Sequence, residues 1–325
     1  MDFSLTLEDD TWDRFYHPDA DDEDPPTMDE IRIVWEFVDR YGTPQAIAVN
    51  EAARNFMSLC NDDRHGGIVD RGERVGWLLW DVGIEMPQYQ PAILKLVEAI
   101  RALPGIDRTE EQIRVWRFKE RLERWRDMEA FDEIWFTAYQ RYREQKYTGD
   151  AFTEEACSDF VNANAFNALH LVAYPPDPPC SSHELARAFW LIGFTLEQDP
   201  WNHLPSWLQE TSTSGRVSDR TWYITSLNAN VHALAPFIQI AGHIIFRFVN
   251  KKDLAWLESV KSEYPDSDLW KGSTMFTLDR WEFWRERLRW ISEQNVLKER
   301  TRDDARMLEK LMQNIQQHSE GSATA

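Results

Sequence analysis

Apolar residues recur along the chain with the spacing of a helix. Ile31, Val34, Val38 and Tyr41 share one helical face, as do Val115, Phe118, Leu122 and Trp125, and again Trp281, Trp284, Leu288 and Ile291. Cap residues punctuate the same segments. Thr27 with Glu30, Thr109 with Gln112, and Ser181 with Glu184 fit the capping box, in which a hydroxyl and a carboxyl or amide satisfy orphan backbone N–H groups reciprocally. Thr43-Pro44 fits an N-cap followed by proline in the first turn. These signals predict helices over 28–41, 44–59, 71–82, 89–103, 109–125, 128–145, 153–173, 182–197, 219–249 with a break near Pro236, 253–262, 278–295 and 302–317. The expected fold class is all-α, an irregular multi-helix array.

Breakers divide the array at Pro104-Gly105, in the Pro-rich run 175–179, over 211–218 and over 264–272. No key residues repeat at a fixed helix-pair period, so a regular solenoid is not expected. The domain reading is an acidic, flexible tail over 1–26, one all-α domain over 27–318 with a hinge near 174–181, and a frayed C-terminus over 319–325.

Composition sharpens this picture. Only 13 Gly and 15 Pro among 325 residues supply tight turns and phosphate loops poorly, whereas 16 Trp, 9 Tyr and 17 Phe put the packing energy into rings. The net charge of -20 repels a phosphate backbone, so no nucleic acid is expected as a partner. More than half of that charge sits in the first 30 residues, where Arg14 is the only base. Cys60, Cys157 and Cys180 are odd in number and lack a C-x-x-C, which argues against a disulfide framework or zinc knuckle and for a reducing, cytoplasmic setting. The first residues, MDFSLTLEDD, lack the basic and apolar regions of a secretion signal, and no uncharged apolar run reaches about 18 residues, so no membrane is expected either.

Searching for chemistry gives mostly exclusions. There is no H-E-x-x-H, Walker loop, G-x-G-x-x-G or G-x-S-x-G, and no two histidines stand four apart. Asp21 to Asp24 lack the helical spacing of a magnesium site, Asn61, Asp62, Asp63 and His65 follow a helix stop, and His65-Gly66-Gly67 has no nucleophile to serve. No metal, no cofactor and no catalytic residue is assigned. Two polar stripes remain as ligand-binding candidates. Asn164 and Asn167 interrupt a packable face, and Gln239, His243 and Arg247 descend one line of the most apolar segment. Each stripe either pairs within the scaffold or at a solvated edge, or lines a small-molecule pocket.

Val161-Asn162-Ala163-Asn164-Ala165-Phe166, Ala188-Phe189-Trp190 through Leu196-Glu197, and Leu269-Trp270-Lys271-Gly272 followed by Leu278-Asp279-Arg280-Trp281-Glu282-Phe283-Trp284 resemble a family of fungal proteins catalogued as a domain of unknown function (number 3632). The resemblance covers about residues 30–315. It implies a fungal, helical, intracellular protein and carries over no catalytic residue. Two functions are then expected as alternatives: a noncatalytic helical module whose Trp-rich grooves bind a protein partner, or an accessory enzyme or small-molecule-binding protein of a fungal specialised-metabolite pathway.

Overall fold

The computed structural model describes residues 26–43, 48–59, 68–107, 122–123, 139, 154–176, 182–199, 224–249, 267–272 and 276–323. The acidic tail before Pro26, Thr109 with Gln112, the cluster at 61–65, Cys60, Cys180 and the expected helix over 253–262 lie outside them, as do all but Tyr139 of 128–145. The fold is all-α. Residues 1–138 form one compact unit and residues 139–325 a second, and the Pro-rich run 175–179 falls inside the second.

In the first unit, α1 (Met28–Asp39) starts where the capping box places it. Thr27 Oγ1 accepts the Glu30 N–H at 3.3 Å, and Glu30 Oε2 accepts the Thr27 N–H at 2.7 Å. Such a cap stabilises by about 1 kcal/mol. The other Glu30 oxygen lies 3.6 Å from Arg74 Nη2 on α3 (Ile68–Glu85), so one buried carboxylate both caps α1 and ties it to α3. α2 (Val49–Leu59) buries Ala52, Ala53 and Phe56, and packs mainly on α4 (Gln90–Arg101), which buries Ile93, Leu96, Val97 and Ile100. A single 3-10 turn, Pro87–Tyr89, joins α3 to α4, and Gln90 Nε2 secures it by donating to Gly83 O at 3.0 Å.

Directly after Pro104-Gly105, Ile106 and Asp107 are extended. β1 (Ile106–Asp107) pairs antiparallel with β2 (Leu122–Glu123), Ile106 opposite Glu123. This corrects the expected helix over 109–125 at its C-terminal end: the apolar spacing there is helical, but local propensity is a weak prior that strand pairing at a distance overrides.

The second unit is built around α7 (Leu227–Arg247). Its main neighbours are α5 (Glu154–Ala173), α9 (Glu299–Ala323) and α6 (His183–Leu196), while α8 (Leu278–Ser292) packs on α9 and α6. By length and composition α7 is apolar enough to cross a membrane, yet 72% of its most apolar stretch is buried inside the protein. Successive contacts ascend both helices together: Asn228 with Lys298, His232 with Asp304, Gln239 with Met307 and Gly242 with Ile315. α7 and α9 are therefore parallel, and α8 supplies the return between them.

Three local expectations change. α7 runs through Pro236 without the expected break. Proline removes the N–H that would serve His232 O and crowds that turn, but the residue is buried among helices that hold the backbone in place. α6 is capped by Ser182, whose Oγ accepts the Leu185 N–H at 3.1 Å, rather than by a Ser181–Glu184 box, and Glu184 turns instead to His170. α9 continues to Ala323, past the point at which a frayed terminus was expected; Ser319 Oγ donates back to Ile315 O at 2.9 Å there.

Candidate functional site

The structure divides the five candidate residues into two groups. Asn164 is fully buried on α5 and its Nδ2 donates to Ala233 O at 2.9 Å. That carbonyl lies one turn before Pro236, where the helix ladder is weakest, so the amide supplies a donor to the turn that proline disturbs. Asn167, also buried, donates from Nδ2 to Ala163 O at 2.8 Å and accepts from Arg187 Nη1 at 2.8 Å. Both amides thus join helices: α5 to α7, and α5 to α6. Gln239, His243 and Arg247 are exposed instead, along the flank of α7 next to α9. Gln239 Nε2 reaches Met307 Sδ at 3.4 Å. The two groups occupy different environments, one sealed and one open to water.

Histidine chemistry lies elsewhere. His170 Nδ1 on α5 is 3.0 Å from Glu184 Oε1 on α6. Burial pushes the Glu184 carboxyl up, but the His170 imidazole, the backbone N–H of Glu184 itself and the Arg187 guanidinium outweigh it and bring the pKa down to about 2. On the other side of α7, His232 Nδ1 is 2.6 Å from Asp304 Oδ2, and its Nε2 is 3.5 Å from Thr301 Oγ1. Hydroxyl, imidazole and carboxylate stand in the order of a nucleophilic relay. Thr301, however, is completely buried, and a hydroxyl without access to a substrate does not attack one. The trio fastens α9 to α7. Among the described residues, no group of three or more His, Cys, Asp or Glu side chains has the arrangement to hold a metal ion.

The densest polar network centres on Glu197, the C-cap of α6. Its Oε1 accepts from Arg280 Nε and from Trp284 Nε1, both at 2.6 Å, and its Oε2 accepts from Arg280 Nη2 at 2.7 Å. Its backbone carbonyl accepts the Leu269 N–H at 3.0 Å and the Ser267 hydroxyl at 3.3 Å. One residue therefore gathers α6, α8 and the 267–272 segment. Rings seal the corner: Phe189 stacks on Phe276 with centroids 3.7 Å apart, Trp281 and Trp284 meet edge to face at 6.0 Å, and Trp270 lies against Phe283 at 5.4 Å. Gly272 is required here, because a Cβ would collide with the Trp270 indole. The Trp-Lys-Gly and Arg-Trp-x-x-Trp segments are the two sides of this latch. Both segments are distinctive in the sequence, but what closes them is Glu197, whose carboxylate takes Arg280 and Trp284 and whose carbonyl takes Leu269 and Ser267.

A family model described as protein of unknown function (DUF3632) matches residues 78–288, from within α3 to within α8, and the chain belongs to that family. No curated protein and no solved structure matches the chain.

Proposed function

We propose that this chain is a noncatalytic helical interaction module that offers the exposed Gln239–His243–Arg247 row of α7, with Met307 of α9 beside it, to a protein partner. One observation carries the reading: the amides of the buried stripe are spent on scaffold bonds, whereas the row on α7 is exposed to solvent and set on the helix around which its unit is built. A polar edge on a well-buried helix is a surface of fixed geometry, which lowers the ordering cost of association. Residence in the cytoplasm of a fungal cell belongs to the same proposal, on the strength of the family resemblance and the cysteine usage.

The test is photo-crosslinking from position 243 in the native host. The expected result is one discrete adduct that excess wild-type chain competes away and the Gln239→Ala, His243→Ala, Arg247→Ala triple variant does not. Equal competition by the two proteins overturns the assignment. A bound metabolite in native mass spectra, released by the same triple variant, decides for the accessory or small-molecule reading instead.

A further inference from the structure

α7 and α9 share an edge that faces water. On α9, Arg300, Met307, Leu311 and His318 recur at the spacing of one helical face; Arg300 and His318 are exposed, Met307 is 38% exposed and Leu311 is half-buried. Gln239 Nε2, 3.4 Å from Met307 Sδ, joins that face to the Gln239–His243–Arg247 row of α7. The two helices run parallel and each rises about 1.5 Å per residue, so their contacts fix the register. Counting on from Gln239 and Met307 sets Arg247 level with residue 315, and counting on from Gly242 and Ile315 sets it level with residue 320. His318 falls inside that interval. Arg300 and Arg247 therefore stand on either side of Met307 and Leu311, about 20–30 Å apart along the helices.

Neither helix brings a spare carboxylate to this edge. α7 has no Asp or Glu in its 21 residues, and α9 has none between Glu309 and Glu320. Asp304 of α9 is held by His232 at 2.6 Å, and Glu309 turns the other way, to Arg285 and Arg289 on α8. In a chain with 56 acids among 325 residues, a strip with an arginine at each end, two imidazoles and an apolar centre runs against the sign of the whole. Salt confines the field of an exposed charge to about 8 Å under physiological conditions. A partner no wider than the strip then meets its cations rather than the net charge of -20.

We propose that this strip binds an acidic amphipathic segment of a partner protein, with carboxylates toward both of its ends and apolar side chains between them. The inference rests on the interaction reading of α7 and narrows its partner. Arg300 and Arg247 offer paired N–H donors that match carboxylates, while Met307 and Leu311 take the apolar side chains, the flexible thioether adapting to their shape. His243, His318 and Gln239 add polar contacts beside them. The span equals about four to six helical turns, which suits a helix laid along the groove between two others. A membrane or a nucleic acid is wider than the strip, and its phosphates would also meet Glu299 and Asp303, exposed on the adjoining face of α9.

The test is selection of a displayed library of random peptides on the full chain, with counter-selection on the Gln239→Ala, His243→Ala, Arg247→Ala triple variant. The survivors are expected to be acidic, with an apolar centre. Survivors without net negative charge, or without apolar residues, overturn the acidic amphipathic partner and leave the α7 surface standing; a library in which no peptide separates the two proteins removes both. The most enriched peptide is then followed by fluorescence anisotropy. Arg247→Glu and Arg300→Glu are each expected to weaken it about tenfold and Met307→Gln about threefold, whereas Arg306→Glu, the same charge change on a face of α9 turned away from the strip, leaves it unchanged. If a reversal unfolds the chain, Arg247→Gln and Arg300→Gln replace it, with about a threefold loss expected. Affinity that ignores sodium chloride, or an equal loss with Arg306→Glu, overturns the proposal. So do phosphatidylserine vesicles that bind the wild type and not Arg247→Glu, which would assign the strip to lipid.

Discussion

Arg280 holds Glu197 by two parallel hydrogen bonds, Nε to Oε1 at 2.6 Å and Nη2 to Oε2 at 2.7 Å, and both side chains are buried. Removing one partner strands the other charge in the interior. Arg280→Met is expected to cost about 3–5 kcal/mol, and Trp284→Phe, which removes one donor to a charged acceptor, about 1.5–3 kcal/mol. The combination of Glu197→Leu with Arg280→Met is expected to unfold at higher urea than Arg280→Met alone. A double variant weaker than either single variant contradicts this account of the latch.

Acid sensitivity follows from Glu184. Its folded pKa of about 2 is below the ordinary value of 4.5, so its contribution is full above the unfolded pKa and is lost as pH falls from about 4.5 toward 2. The part at stake is roughly 3 kcal/mol at neutral pH, an order of magnitude for a side chain that is mostly buried. Glu184→Gln should therefore flatten the decline of urea midpoint between pH 5 and pH 2.5, a window set by those two pKa values. An unchanged slope separates Glu184 from the acid response.

Pro236 and Asn164 are expected to be coupled. Asn164→Ala leaves the Ala233 carbonyl without its side-chain donor and should cost about 1–3 kcal/mol. Pro236→Ala restores the N–H that serves His232 O and relaxes the adjoining turn that contains Ala233, which should reduce that cost by at least about 0.5 kcal/mol in a double-mutant cycle. Additive effects mean that the amide does not support the proline turn.

Gly242 and Gly272 should respond differently to alanine. At Gly242 the new Cβ would crowd the terminal Cδ1 of Ile315, at 2.8 Å, a flexible atom, and make an ordinary contact with Ile238 Cγ2 at 3.7 Å. The gain in helix propensity, about 1 kcal/mol, then nearly offsets the rotamer shift, and Gly242→Ala in an Ile315→Val background should stabilise the chain. At Gly272 the obstacle is the rigid Trp270 indole, so Gly272→Ala should expel the ring from Phe283, with a red-shifted tryptophan emission and a loss of about 1–3 kcal/mol. Matching denaturation curves for the two alanine variants would refute the distinction.

What the sequence made legible was whatever depends on neighbours along the chain. Thr27 and Glu30 are three residues apart, and their cap forms as the spacing requires. The periodicity that marked Trp281, Trp284, Leu288 and Ile291 as one face also holds, since all four are buried. The same pattern misses Arg280, because hydropathy assigns a guanidinium to water, and its carboxylate stands 83 positions away. Asn164 and Asn167 were visible as polar residues on an apolar face, but which carbonyls and guanidinium would meet them depends on helix packing. Pro236 shows the converse: a strong local breaker was legible, and the enclosing helices annul it.

The parallel pairing of α7 with α9 sets the order of events during synthesis. Leu227–Arg247 leaves the ribosome first, with the length and hydropathy of a membrane span, and the helix that covers one flank of it is translated only after α8 has made the return. For that interval α5 and α6 are already made, but the α9 flank of an apolar helix stays bare, open to chaperones or to insertion factors that read hydrophobicity alone. A stop codon at Glu299 would make that interval permanent. The truncated product should be sent to degradation or to membranes, even though every residue of the family-matched span is intact.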